Sequence, residues 1–144
     1  MTSWLITQDS RFAAAVSISP VVNHVTQHLL SNIPEFMSLF LKDAYDNPLG
    51  RYRDRSPIFF AKNVRTPTLN ICGLLDKCTP AEEAMQFHSA LMECGTKSVL
   101  AAYPFEGHGV RNIYPACMDS AARILDWFVT HMPARTALPD WRLN

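Results

Sequence analysis

The sequence predicts an α/β fold, a parallel sheet with crossover helices, on three observations. Residues 12–22, 68–74 and 99–103 are short apolar runs of strand character. Two segments with clear helix end signals follow the second and third runs. The order strand, helix, strand, helix then calls for a right-handed parallel crossover, because no tight turn joins parallel strands.

Taken in order, the chain opens with TSWLITQDSR, which reads as a helix lacking its beginning. FAAAVSISPVV, residues 12–22, has the small apolar side chains of a strand buried on both faces and breaks at Pro20. Residues 23–66 are a long, helical excursion between strands, rich in Leu29, Leu30, Phe36, Met37, Phe40 and Phe59. TLNICGL, residues 68–74, follows Pro67 and gives way to a turn running from Leu75 to Thr79. Thr79 is expected to cap the next helix, with Pro80 in its first position and Glu82 closing a capping box. Ala84, Phe87, Leu91 and Cys94 form that helix's apolar stripe, and Gly95 stands where a left-handed residue ends a helix. A third strand lies in SVLAAY. The last helix is expected to begin after Pro115, to bury Met118, Ala121, Ile124, Leu125, Phe128 and Met132 on one face, and to stop at Pro133. Residues 134–144 read as a tail, and without repeats or linkers residues 1–144 read as a single domain, complete or partial.

Composition narrows the function. With 48% hydrophobic and 18% charged residues the chain is globular in type, and 13 basic residues balance 13 acidic ones. No net field draws it to nucleic acid or to an anionic membrane. No run approaches the roughly 20 apolar residues of a membrane span. MTSWLITQDS is no secretory leader, so the cytoplasm is the expected compartment. Cys72, Cys78, Cys94 and Cys117 are too scattered for a disulfide framework or a zinc site and are expected to be buried free thiols. No cofactor is implied.

In open parallel sheets chemistry gathers beyond the carboxyl ends of the strands. Asp76 follows the second strand and His108, in YPFEGHG, follows the third, so both belong on one rim, on adjacent loops. An acid that orients a histidine acting as general base is what hydrolytic acyl transfer needs. Gly107 and Gly109 fit a tight loop from which the imidazole projects unobstructed.

The stretch PTLNICGLLDKCTP, followed by YPFEGHG and ILDWF, resembles the C-terminal catalytic domain of the prolyl oligopeptidase family of serine hydrolases. The similarity extends upstream through SWLITQDSRFAAAVS and DRSPIFFAKNVRTP. The resemblance implies the C-terminal portion of an α/β-hydrolase fold, with Asp76 as triad acid and His108 as triad base. It also implies that the nucleophile elbow, G-x-S-x-G-G, and the early oxyanion loop would precede Met1, so that this polypeptide alone is expected to be nearly inactive. The substrate expected for the completed enzyme is a peptide or related acyl compound. Cys78 stands where the family often carries an arginine.

Other candidates are weaker. Ser3 belongs to the first helix, on its surface or in its packing, and Cys78 has no base assured within reach. His24 and His28 have i, i+4 spacing but no third ligand. His88 lies near an apolar stripe and His131 near a helix end. Arg51, Arg53, Arg55, Lys62 and Arg65, with Tyr52, form a basic run that a solvated loop explains, or that holds a substrate carboxylate. Three central-type strands with nothing before them would leave an apolar edge unpaired. Self-association or pairing through that edge is therefore expected. The alternative to a hydrolase segment is a non-catalytic remnant working as an interaction module.

Overall fold

A computed structural model describes residues 1–132. Pro133 as helix terminator and the tail at 134–144 lie outside the described residues. The elements in order are α1 (Thr2–Gln8), β1 (Ala15–Ile18), α2 (His24–Leu30), α3 (Glu35–Leu41), α4 (Arg51–Asp54), a 3-10 helix (Pro57–Asn63), β2 (Thr68–Gly73), α5 (Ala81–Glu93), β3 (Ser98–Tyr103) and α6 (Tyr114–His131).

The three strands form one parallel sheet in the order β1-β2-β3, with Ala15 opposite Thr68 and Thr68 opposite Ser98. β2 is the central strand and all six of its residues are buried. Its side chains alternate between two cores, as the two-residue period of a strand requires. Leu69 and Ile71 meet Ala101, Val110 and Trp127 beneath α6, whereas Cys72 meets Ala81 and Ala84 of α5. A further cluster joins Ile6, Ala15, Val22, Ala61, Val64, Phe87 and Leu91, clamping α1 and the 3-10 helix to α5.

β1 corrects an expectation. It is four residues long, and only Ala15 and Ser17 are buried; Ile18 is 46% exposed. Pairing on one side only makes it an edge strand among the described residues, so its outer face lacks the cover that small apolar residues led one to expect.

α5 ends as read. Gly95 has φ +76°, its amide donates to the Met92 carbonyl and the Thr96 amide to that of Leu91, the paired bonds of a Schellman motif. Its start differs. Pro80 is the N-cap and makes no side-chain cap bond, so the Thr79–Glu82 capping box is not formed. The helix starts one residue later than read, which leaves Thr79 ahead of the cap, and its hydroxyl donates to the Asp76 carboxylate. Cys94, at the C-cap, is exposed rather than part of the stripe, and only Cys72 of the four free thiols is buried.

α6 is rotated from its expected setting. Ser120 and Trp127 are buried, with Ala116 and Ile124 against the core, while Met118, Leu125 and Met132 face outward. The helix carries two apolar stripes, and the one bearing the large indole, which buries the most area, is turned to the sheet.

Between β1 and β2 the chain runs through α2, α3, α4 and the 3-10 helix. Asn23 caps α2, its side chain accepting from the Val25 and Thr26 amides, and its amide group bonds Gln86 of α5 at 2.9 Å. The buried Glu83 accepts from the Val22 and Asn23 amides at 2.6 and 2.7 Å, fastening the entry of the excursion to α5.

Candidate active site

β2 and β3 end level, Gly73 opposite Tyr103, and the loops that follow stay in contact. The Leu74 amide donates to the Tyr103 carbonyl and the Leu75 amide to that of Glu106, both at 2.9 Å. A Cβ on Gly73 would lie 2.3 Å from the Glu106 carbonyl oxygen and 2.4 Å from that of Gly107. Only glycine lets the two loops close to this distance.

Asp76 and His108 meet on this rim. His108 Nδ1 lies 2.9 Å from Asp76 Oδ2. The carboxylate is fully buried at its side chain, whereas the imidazole is half exposed. Asp76 Oδ1 accepts from the Cys78 and Thr79 amides, both at 2.9 Å, and Oδ2 from the Thr79 hydroxyl at 2.9 Å. Burial pushes the Asp76 carboxyl up, but the Thr79 amide, His108, the Thr79 hydroxyl and the Cys78 amide outweigh it and hold the carboxyl below its ordinary value. At neutral pH this site therefore contains a carboxylate, an acceptor with all its directions engaged.

The His108 loop is pinned from inside. Glu106 is wholly buried, and its carboxylate accepts from the Ile113 amide at 2.6 Å and the Asn112 amide at 3.0 Å, closing the loop into a ring. Gly109 has φ +83°, which disfavours any side chain. Gly107 differs: a Cβ there would meet only Asn112 Nδ2 at 3.4 Å, so the obstruction expected at both glycines exists for neither reason at Gly107. Val110 holds φ +50° while buried, a strained setting for a β-branched residue. From the end of β1, Ser19, with φ +44°, accepts the Gly109 amide on its hydroxyl at 3.2 Å and so ties the third strand end to the same loop.

The excursion is fastened to the Asp76 loop from the other side. Gln27 Nε2 and Ser31 Oγ both donate to the Cys78 carbonyl, at 2.7 and 2.8 Å, and the Asn32 amide donates to that of Lys77 at 2.8 Å. Of its apolar residues Met37 is buried, while Phe36 and Phe40 pack on each other, ring centroids 4.5 Å apart, and stay largely exposed.

The remaining candidates have local partners. Ser3 is buried with its hydroxyl 2.7 Å from that of Ser17, which settles its place in helix packing rather than on the surface. His28 stacks on Tyr45 and meets the Tyr52 hydroxyl at 3.3 Å, and the His24 amide donates to Ser56 Oγ. His88 Nδ1 lies 2.9 Å from Ser98 Oγ, and His131 stacks on Trp127. In the basic run Tyr52 is buried, Arg51 donates to the Leu41 carbonyl, and the Arg53 guanidinium lies over the Phe59 ring at 4.5 Å.

Three polar side chains of the site escape sequence reasoning. Thr79 was assigned to a helix cap. Glu106 and Ser19 carried no signal beyond, for Glu106, a lone charge inside a glycine-flanked loop.

The parallel sheet covered by crossover helices, with an oriented imidazole beyond the carboxyl ends of its strands, matches the α/β-hydrolase fold of acylaminoacyl peptidases. Residues 1–135 match the prolyl oligopeptidase family. The chain is 32% identical over 135 residues to the uncharacterized peptidase YuxL of Bacillus subtilis, a match covering 92% of this chain and 20% of that protein. It is 28% identical to acylamino-acid-releasing enzyme 1 of Oryza sativa subsp. japonica over 143 residues, 92% of this chain and 18% of the relative. The acylaminoacyl peptidase of Pyrococcus horikoshii superposes with a TM-score of 0.82 at 28% identity, covering 96% of this chain and 23% of that one. The chain belongs to the prolyl oligopeptidase family, whose members are serine peptidases. It spans about a fifth of the length of these relatives. Among the described residues no helix is long and apolar enough to cross a membrane.

Proposed function

We propose that this chain supplies the acid and base of a serine peptidase whose nucleophile lies on polypeptide outside residues 1–144. His108 Nε2 takes the proton of the serine hydroxyl as it attacks the scissile carbonyl and returns it to the leaving amine. Asp76 holds the ring and stabilises the imidazolium that forms, without itself being protonated. The observation that carries this reading is the 2.9 Å contact between a buried, ionised Asp76 and a half-exposed His108. Among the described residues no hydroxyl is hydrogen-bonded to His108 Nε2: that of Thr79 meets Nδ1, that of Ser3 is bonded to Ser17, and that of Ser19 to the Gly109 amide. The substrates proposed are short peptides, N-acylated ones included, in line with the names of the relatives.

The test compares the chain alone with the chain joined to the preceding catalytic-domain segment of a relative, using an N-acetylamino acid p-nitroanilide. Hydrolysis is expected only from the joined protein. It should fall on the order of 10⁴-fold or more in His108→Ala and Asp76→Ala. Strong His108-dependent turnover by the chain alone, or joined activity indifferent to both substitutions, refutes the reading.

A second reading rests on the flank of the molecule: among the described residues β1 leaves one edge unpaired and α6 turns Leu125, 66% exposed, and Val129 to solvent. In it the chain is a non-catalytic module that pairs with itself or another protein through the β1 edge. Light scattering that finds a monodisperse monomer at tens of micromolar rules out self-pairing.

A further inference from the structure

We propose that Thr79 is a positioning residue, a second acceptor for the Nδ1 proton of His108 that reinforces the tautomer held by Asp76, in which Nε2 is the bare nitrogen. The argument is a count of protons among three atoms. Thr79 Oγ1 lies 2.9 Å from Asp76 Oδ2 and 3.1 Å from His108 Nδ1, and Nδ1 lies 2.9 Å from the same Oδ2. A carboxylate only accepts, and a threonine has a single proton to donate. Oδ2 brings no proton to its 2.9 Å contact with Nδ1, so Nδ1 supplies it and cannot also accept, and the Thr79 proton goes to Oδ2. What Thr79 turns toward Nδ1 is then a lone pair. Facing two acceptors, Nδ1 carries the ring proton, and the exposed Nε2 has none. The opposite tautomer would set a bare Nδ1 against Oδ2 at 2.9 Å and forfeit that hydrogen bond. Thr79 is itself buried, so water does not replace its hydroxyl cheaply.

The consequence for hydrolysis rests on the relay proposed above, since a base must present an unprotonated Nε2 to its serine. The placement of the proton does not rest on it, and neither does the experiment, which needs no substrate. Long-range ¹H–¹⁵N correlation spectra of the full chain, recorded at alkaline pH, report which nitrogen of His108 is protonated. The wild-type chain is expected to show Nδ1–H alone. In Thr79→Val, which keeps the shape and removes the hydroxyl, exchange of that proton with water should rise about fivefold, the factor that one net hydrogen bond is worth. Thr79→Ser should restore the wild-type rate. A mixed or Nε2–H tautomer in the wild-type chain overturns the inference, as does a Thr79→Val rate equal to wild type or a Thr79→Ser rate equal to that of the valine variant. The two variant outcomes leave the Asp76–His108 relay standing, whereas an Nε2–H wild-type tautomer also removes the bare nitrogen that the relay needs. Failure of the joined protein to hydrolyse, with the tautomer as expected, sinks the relay and leaves the role of Thr79 intact.

Discussion

The rim where β2 and β3 end and the flank where β1 and α6 face outward are built to opposite standards. On the rim both carboxylates, Asp76 and Glu106, accept on both of their oxygens, and the loops touch backbone to backbone at Gly73. On the flank Ile18, Leu125 and Val129 are exposed, and an apolar cavity of about 240 Å³ opens between α1, β1 and α6, lined by Leu5, Phe12, Val16 and Phe128. The difference teaches that the two carboxylates of the rim are satisfied by the segment's own residues, whereas the apolar flank is left uncovered among the described residues. A hydrogen-bonded rim is satisfied by loops a few residues long; a sheet edge and a helix face are satisfied only by another element of similar length.

The largest expected effect breaks the rim. Gly73→Ala forces a methyl into two backbone carbonyls and should destabilise the chain by about 3 kcal/mol in urea unfolding, with loss of the Asp76–His108 contact. Gly107→Ala, one residue from His108, is the matched control and should change stability by no more than about 0.5 kcal/mol. Equal effects at the two positions would remove the steric account of the rim.

The next effect separates two buried carboxylates by sign. Burial lifts Glu83 from 4.5 to about 7, against the pull of the Val22, Asn23 and Gln27 backbone. Between those values the folded chain keeps a proton that the unfolded chain releases, so stability should fall as pH rises through this window, by about 2–3 kcal/mol. Asp76, held low, contributes in the other direction: its share is present above the ordinary carboxylate range and is lost as pH falls through its depressed value. Urea midpoints from pH 4 to 8 should therefore decline toward neutrality in the wild-type chain and flatten in Glu83→Gln. A slope unchanged by that substitution would place the titration elsewhere.

The smallest effect on stability is expected on the flank. Leu125→Glu should move the unfolding free energy by less than about 0.5 kcal/mol, as exposed sites do, while lowering any self-association seen by sedimentation velocity. A substantial loss of stability there would mean that the face is covered, and would erase the contrast with the rim.

Which parts of this molecule could be foreseen follows from the range of the forces involved. Asp76 and His108 were readable because each sits a few residues beyond an apolar run, and the crossover rule brings successive strand ends to one rim. The end of α5 was readable because Gly95 acts within one helical turn. Its beginning differs: Thr79 has the right residue type for a cap, but Pro80 takes the cap position and Thr79, one residue ahead of it, is drawn into the loop of Asp76. The face of α6 was misread because two apolar stripes compete on one helix, and the choice depends on how Trp127 fills the space beside Leu69 and Ile71.

Residue types and spacing alone thus determined the strand-and-helix alternation, the helix stop at Gly95 and the pair Asp76 and His108, since these are set by local backbone preferences and by short-range pattern. Tertiary structure decided that β1 is an edge, that Gly73 rather than Gly107 admits the neighbouring loop, and that Thr79, Glu106 and Ser19 hold the rim. Those roles exist only where segments distant in the chain come within hydrogen-bond reach, and no local propensity encodes that distance.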